Sequence, residues 1–174
     1  MFVLVLGTLG SPVPTSRPSR ELQASADGVT SSGAGGTFTA NYNAEGSWPM
    51  MYGKDPSGSG GAPVYVFANG GGMNEGPGTS AYNYVTAMAA KGFVAAQIDV
   101  DMSDPPFTCS SFEAVARQIF RYDGPSDTSN SAVSVLCRRP KADCSQGIAV
   151  HGFSLGGLYA YHAPKHRTTA RTHA

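Results

Sequence analysis

Ser154 is the residue of this chain whose neighbours best suit it for chemistry. Residues 147–161 open as a short apolar strand, turn at Ser154 between Gly152 and Gly156, and continue into small residues that suit a helix. A serine becomes nucleophilic when a base removes its proton and nearby donors stabilise the resulting oxyanion. The corner lifts the side chain clear of the sheet and directs the first amides of the helix at the same space. Side chains at either glycine would collide across so tight a turn.

A second glycine cluster precedes this corner in the chain. Asn69 is followed by Gly70, Gly71 and Gly72, directly after the apolar run at residues 63–68. Backbone without side chains can approach a substrate carbonyl closely and present N–H groups to it. The cluster is therefore a candidate oxyanion loop, and taken alone it is equally a flexible glycine turn.

The segments around both clusters alternate between strand and helix patterns. Strands are predicted at residues 37–42, 48–52 (edge-like), 63–68, 93–98 and 148–151, and helices at residues 82–91, 112–122 and 131–137, with Ser110 or Ser111 as N-cap of the second helix. Such alternation is typical of parallel β-α-β units. The predicted class is α/β, with a mostly parallel sheet and flanking helices.

The serine corner carries a resemblance to a known family. Gly152-Phe153-Ser154-Leu155-Gly156 resembles the nucleophile elbow of the α/β-hydrolase superfamily, which includes serine esterases and lipases. The segment from Asn69 onward is similar to the family's oxyanion loop, although many members have histidine where this chain has Asn69. The resemblance implies ester or related acyl hydrolysis through an acyl-enzyme at Ser154.

The same resemblance assigns roles to the residues around the serine. It implies that the amides of Leu155 and Gly71 hold the developing negative charge. It gives a supporting role in the two turns to a set of glycines: Gly70, Gly72, Gly152 and Gly156.

The resemblance covers residues 37–162 and stops after the elbow. In the family the acid and the histidine follow the serine, and only twenty residues follow Ser154 here. The chain is therefore expected to hold an incomplete catalytic domain that turns over substrate poorly.

The remaining ionisable residues do not replace the missing groups. His151 is predicted to be structural, because it lies on the strand itself, and His162 would lie about 12 Å along the following helix. His166 and His173 come after Pro164, where regular structure is expected to end. Asp99 and Asp101 end a strand and are interpreted as ordinary turn carboxylates.

Three functions remain open at this point. A serine hydrolase is the first, and a non-catalytic binding or pseudo-enzyme module that keeps the pocket is the alternative. Acyl transfer to an alcohol is the third. The implied partner is a small ester or acyl compound, and neither a cofactor nor a metal site is predicted.

Charge and cysteine content limit the partners further. The formal net charge is zero and no basic run occurs, so neither nucleic acid nor an acidic membrane surface is implied. No apolar stretch is long enough to span a bilayer. Cys137 and Cys144 bracket a short polar loop that a disulfide could close, with two free thiols as the alternative, and Cys109 is left single.

The two ends of the chain are predicted to lie outside the domain at residues 37–163. Residues 1–36 are interpreted as a signal-like apolar run, or a frayed hydrophobic terminus, followed by a disordered Ser/Pro/Gly-rich leader. Residues 164–174 are expected to be a disordered tail. Export and a disulfide would support each other, so secretion or the endomembrane lumen is predicted, with the cytoplasm still open.

The resemblance also makes a prediction about the sheet. In the family's strand order, the strand at residues 148–151 would lie at an open edge with unpaired backbone groups, and self-association through that edge is expected.

Overall fold

A computed structural model of the chain describes residues 2–6, 30–31, 35–42, 50–71, 75–100 and 108–163. Within these residues the strands are β1 (Phe2–Leu6), β2 (Thr30–Ser31), β3 (Thr37–Asn41), β4 (Met50–Lys54), β5 (Val64–Ala68), β6 (Val94–Ile98) and β7 (Ile148–Gly152). The helices are α1 (Ser80–Ala90), α2 (Cys109–Phe120), α3 (Ala132–Cys137) and α4 (Leu155–His162), and a 3-10 turn covers Cys144–Gln146.

The strands form one sheet in the order β1-β7-β5-β6-β4-β3-β2. The pairings of β5 with β6 and of β5 with β7 are parallel, and the other pairings are antiparallel. Each parallel pair is joined through helices, as chain geometry requires. The predicted α/β class is confirmed. The expectation of a mostly parallel sheet was wrong, because parallel pairing is confined to the three central strands and the outer strands pair antiparallel.

The central strands are buried on both faces, which explains their continuous apolar sequences. Alternate residues such as Val64, Val66 and Ile98 face α2, α3 and α4 in the larger core. The intervening residues, including Tyr65, face α1 in a smaller core. The sheet therefore brings the carboxyl ends of β5, β6 and β7 to one rim, from which both glycine clusters extend.

The edge of the sheet differs from the prediction. Strand β7 is paired along its length with β1, from Phe2 opposite Gly152 to Leu6 opposite Ile148. A run of aromatic, β-branched and aliphatic residues has high strand propensity, and β7 offers it a row of backbone donors and acceptors. The expected open edge at β7 was wrong, because the signal-like run covers it. Self-association itself stays a prediction.

Other boundaries also shift. Strand β4 is interior, between β6 and β3, and is not an edge strand. Helix α2 begins earlier than predicted, because Thr108 rather than Ser110 or Ser111 is its N-cap and forms a capping box with Ser111. Three hydroxyl residues lie within four positions there, and each is a residue type that caps helices, so local sequence does not rank them.

Two contacts fasten the loop that leads into β7. The predicted disulfide between Cys137 and Cys144 is confirmed, and Cys109 is free and exposed. Arg139, inside the disulfide loop, makes a two-pronged buried ion pair with Asp55 at 3.1 Å and 2.7 Å. The Arg139 guanidinium also lies 3.4 Å from the centre of the Phe38 ring.

Several predictions fall outside the described residues. These are the leader at residues 7–29 and 32–34, the tail at residues 164–174 with His166 and His173, and the positions of Gly72 and Asp101. None of the helices that the structure describes has the length and apolarity needed to cross a membrane.

Candidate active site

Ser154 occupies the corner between β7 and α4. It is the N-cap residue of α4 and has φ 51° and ψ −120°. Among the described non-glycine residues it alone has a positive φ. A residue with a side chain adopts this conformation only where the surrounding structure imposes it, and such strain concentrates at functional sites.

The two glycines of the corner allow its arms to touch. A Cβ atom on Gly152 would lie 2.1 Å from the carbonyl oxygen of Gly156. A Cβ atom on Gly156 would lie 2.0 Å from the carbonyl oxygen of Ala68, at the end of β5. No side chain fits at those distances, so both glycines are required for the corner.

The glycine cluster that follows Asn69 lies against the serine. A Cβ atom on Gly70 would be 3.1 Å from Cβ of Ser154 and 2.9 Å from the carbonyl oxygen of Phe153. The amides of Gly71 and Leu155 do not donate to any described backbone group. The structure therefore brings the turn that contains Ser154 together with the glycine turn at Gly70 and Gly71, and the sequence analysis assigned both turns to one site.

None of the described side chains is hydrogen-bonded to the hydroxyl of Ser154 as a base would be. This hydroxyl is exposed and has no hydrogen-bond partner in the part of the chain that the structure describes. His151 lies on the face of the sheet covered by α1, with Nδ1 2.8 Å from the hydroxyl of Tyr65. Burial lowers the pKa of His151 and raises that of Tyr65. His162 ends α4 and packs edge-on against Tyr161.

A buried amide holds the ends of the segment that contains the glycine cluster. The Nε2 of Gln97 donates to Oδ1 of Asn69 at 2.9 Å, and the amide of Gly76 donates to Oε1 of Gln97 at 3.1 Å. Gln97 is fully buried in β6. Residues 69–76 are called the glycine loop below, and its described part is residues 69–71 and 75–76.

Two acidic residues, Glu75 and Asp99, interact with each other, and Glu75 also contacts Asn69. Burial, followed by the hydrogen bond and the charge of neighbouring Asp99, raises the pKa of Glu75 from 4.5 to about 8. Glu75 is therefore largely protonated at neutral pH. Asp99 follows β6 and accepts a hydrogen bond from Tyr42 at its backbone oxygen, at 2.6 Å.

Exposed apolar side chains occur at the corner and along α4. Phe153 precedes the serine and is 57% exposed, and Leu158 and Tyr161 of α4 are 53% and 77% exposed. An apolar surface beside a candidate nucleophile suits an apolar acyl or alcohol group. As for metals, the described residues include no group of three side chains that could hold an ion.

Sequence reasoning missed Gln97 and Glu75. The signal for Gln97 was present, since it is the one polar residue in the buried strand Val94–Ile98. A polar side chain in such a strand must find hydrogen-bond partners. No comparable signal marks Glu75.

The layered sheet and the strained serine corner have the arrangement that resemblance to the α/β-hydrolase superfamily implies. In fold, the chain is similar to a solved S-formylglutathione hydrolase from Agrobacterium tumefaciens, with a TM-score of 0.48 and 14% identity. The match covers 80% of this chain and 57% of that one. No protein-family model and no curated protein matches the sequence. A likeness at that identity concerns fold and says nothing of substrate.

Proposed function

We propose that Ser154 is the nucleophile of a site for ester or related acyl hydrolysis. The observation that carries the proposal is its backbone conformation, a strained strand-to-helix corner that Gly152 and Gly156 make sterically feasible. The contact of Gly70 with the serine supports it, because it places bare backbone where the oxyanion would form.

The mechanism follows from the positions of the donors. Oγ of Ser154 attacks the substrate carbonyl carbon, and the carbonyl oxygen becomes an oxyanion that the amides of Leu155 and Gly71 can receive. The alcohol leaves with a proton, and an acyl-serine remains. Water then attacks the acyl-serine and releases the acid. No described residue is placed to take the serine proton, so among the groups that the structure describes only solvent water can accept it and supply a proton to the leaving alcohol.

Covalent labelling tests the nucleophile directly. A fluorophosphonate probe should label the chain at Ser154, and Ser154→Ala should abolish the label. Ser126→Ala is the matched control, because Ser126 is exposed in a loop remote in sequence from the elbow. A wild-type chain that stays unlabelled, or a Ser154→Ala chain that labels equally well, would refute the proposal.

Turnover should be slow. Hydrolases that lose triad members retain about 10³–10⁴-fold catalysis over water from the oxyanion hole and binding alone. We therefore expect weak hydrolysis of an activated ester such as p-nitrophenyl acetate by the 174-residue chain. Turnover at the level of an intact hydrolase, abolished by Ser154→Ala, would show that a residue of the chain acts as the base.

A non-catalytic binding module is the second candidate. The observation that favours it is that the hydroxyl of Ser154 makes no hydrogen bond with any residue that the structure describes. Such a module would bind an ester or acyl compound at the corner without reacting with the fluorophosphonate, so calorimetric binding together with absent labelling would support it. Acyl transfer to an alcohol keeps the same first step, and analysis of the products separates it from hydrolysis.

The disulfide supports a proposal about compartment. Bridges such as Cys137–Cys144 persist in oxidising environments, so we propose that the protein acts outside the cytosol. A tagged chain recovered from the cytosol, with all three cysteines reactive to alkylation, would contradict this.

A further inference from the structure

Gln97 is a polar residue at a fully buried position, which is unfavourable unless its amide makes hydrogen bonds. Its side chain is fully buried within a strand whose other residues are apolar. Burying an amide costs free energy unless hydrogen bonds replace its contacts with water. Its Nε2 donates to Asn69 and its Oε1 accepts from Gly76, so one side chain contacts two residues separated by seven positions along the chain.

The Asn69 end of the glycine loop is connected to the serine corner. The backbone amide of Asn69 donates to the carbonyl of Ile98 at 3.2 Å, which continues the pairing of β5 with β6. The next residue is Gly70, which lies against Ser154. A shift of Asn69 would therefore move the backbone that faces the serine.

The other end of the loop is connected to α1. The carbonyl of Gly76 accepts hydrogen bonds from the backbone amide and the hydroxyl of Thr79, at 3.3 Å and 2.9 Å. Thr79 is the N-cap of α1 and accepts from the amide of Tyr82. Gly76 has φ +84°, so its N–H and C=O are both fixed in a backbone conformation that glycine favours.

We propose that Gln97 is a positioning residue for the candidate oxyanion site, holding Asn69 and Gly76 at the two ends of the glycine loop so that Gly70 and Gly71 stay opposite Ser154. The inference rests on the proposed function of Ser154. Glycines adopt many backbone conformations, and oxyanion donors act only when they are held in place before the reaction. A buried side chain that fastens both ends of the loop supplies that restraint.

Two substitutions at this position separate positioning from packing. Gln97→Met keeps the length of the side chain and removes both hydrogen bonds. Gln97→Glu keeps both bonds while the introduced carboxyl is protonated and loses its donor when it ionises. The titratable groups near it are Glu75, Asp99, Tyr52 of β4 and Tyr82 of α1, none of them cationic.

The first measurement is the rate of fluorophosphonate labelling of Ser154 in the full chain. We expect Gln97→Met to lower the maximal labelling rate about tenfold or more, with little change in probe affinity. The loss should be smaller than the roughly 10²–10³-fold loss in rate that follows removal of one oxyanion donor. The labelling rate of Gln97→Glu relative to wild type at each pH should fall as pH rises. Gln118→Met, on the exposed side of α2, is the matched control and should label normally.

The second measurement does not depend on activity. In ¹⁵N-labelled protein, Gln97→Met should shift the amide signals of Gly70, Gly71 and Gly76 and speed hydrogen exchange at Gly76. If wild type does not label, the proposed function fails, and these signals decide the inference. Unshifted glycine signals would overturn it. A labelling rate of Gln97→Met within twofold of the wild-type rate would also overturn the inference. If Gln97→Met does not fold, a labelling rate of Gln97→Glu relative to wild type that does not change with pH would overturn it.

Discussion

Substitution of Gly156 by alanine tests the serine corner most directly. The added Cβ atom would lie 2.0 Å from the carbonyl oxygen of Ala68 and 2.4 Å from that of Asn69. Real Cβ atoms essentially never approach another atom closer than 3.0 Å. Both obstacles are backbone atoms, so no side-chain rotation can relieve the clash. The start of α4 must therefore move away from the end of β5 by about 1 Å.

That displacement has two measurable consequences. Overpacking of this kind costs about 1–3 kcal/mol of folding free energy, which urea denaturation would detect. A misplacement of about 1 Å can lower a reaction rate about 100-fold, and Ser154 lies two residues before the substituted position. We therefore expect the maximal rate of fluorophosphonate labelling to fall about 100-fold in Gly156→Ala, under conditions where the variant is still folded.

Gly157→Ala is the matched control, in the same helix and one residue further on. Its Cβ atom would lie 3.4 Å from the carbonyl oxygen of Gly152, an ordinary contact distance. Alanine is favoured over glycine in a helix by up to about 1 kcal/mol, so this variant should be as stable as wild type or more stable, and should label normally. Equal labelling of the two alanine variants would refute the steric account of the corner.

Three further predictions concern the surroundings of the site. The pKa of Glu75 is about 8 in the folded state and 4.5 in the unfolded state, so between these pH values the native state holds a proton that the unfolded state has lost. The stability of the protein should therefore fall as pH rises from 4.5 to about 8. In Glu75→Gln the melting temperature should vary less over the same pH range. Cys137→Ser opens the short loop to Cys144 and should cost about 2–3 kcal/mol in urea denaturation. Asp55→Asn leaves Arg139 buried without its counter-charge and should cost about 3–5 kcal/mol, measured in the same way.

Each of these predictions has a control of the same residue type. Glu113→Gln changes an exposed acid on α2 and should leave the dependence on pH unaltered. Cys109→Ser changes the free, exposed thiol and should leave stability as it is. Asp123→Asn removes an ion pair at the surface, where such pairs contribute little. If a control variant changed stability or its pH dependence as much as the corresponding test variant, burial or disulfide bridging of the test residue would not explain the change.

Local patterns were enough to predict the central strands and the serine corner. The predicted strands at residues 63–68 and 93–98 correspond to Val64–Ala68 and Val94–Ile98. Both are short, mainly apolar runs with Gln97 as the one polar exception, and a proline or glycine lies just before each, a pattern typical of a buried strand. The elbow was predictable for a similar reason, since its requirements for small residues all fall within five consecutive positions.

Long-range pairing decided what the sequence could not show. Tyr52 and Phe67 lie opposite Gln97 on its two neighbouring strands, and only that register places the Gln97 amide between Asn69 and Gly76. The interior position of β4 likewise depends on β3 pairing outside it. Neither relation leaves a trace in the local spacing of residues.

Glycine residues show why local sequence patterns and long-range contacts carry different information. Gly53 lies within β4, and a Cβ atom there would be 2.0 Å from the ring of Phe38, which in turn lies under the Arg139 guanidinium. By contrast, a Cβ atom on Gly58 would meet nothing within 4 Å. By composition the two residues look alike, because both lie near a glycine- and serine-rich stretch. A glycine is informative only when the group that approaches it is known. For Gly152 of the elbow that group lies within the motif itself, whereas for Gly156, Gly53 and Gly70 it comes from distant parts of the chain.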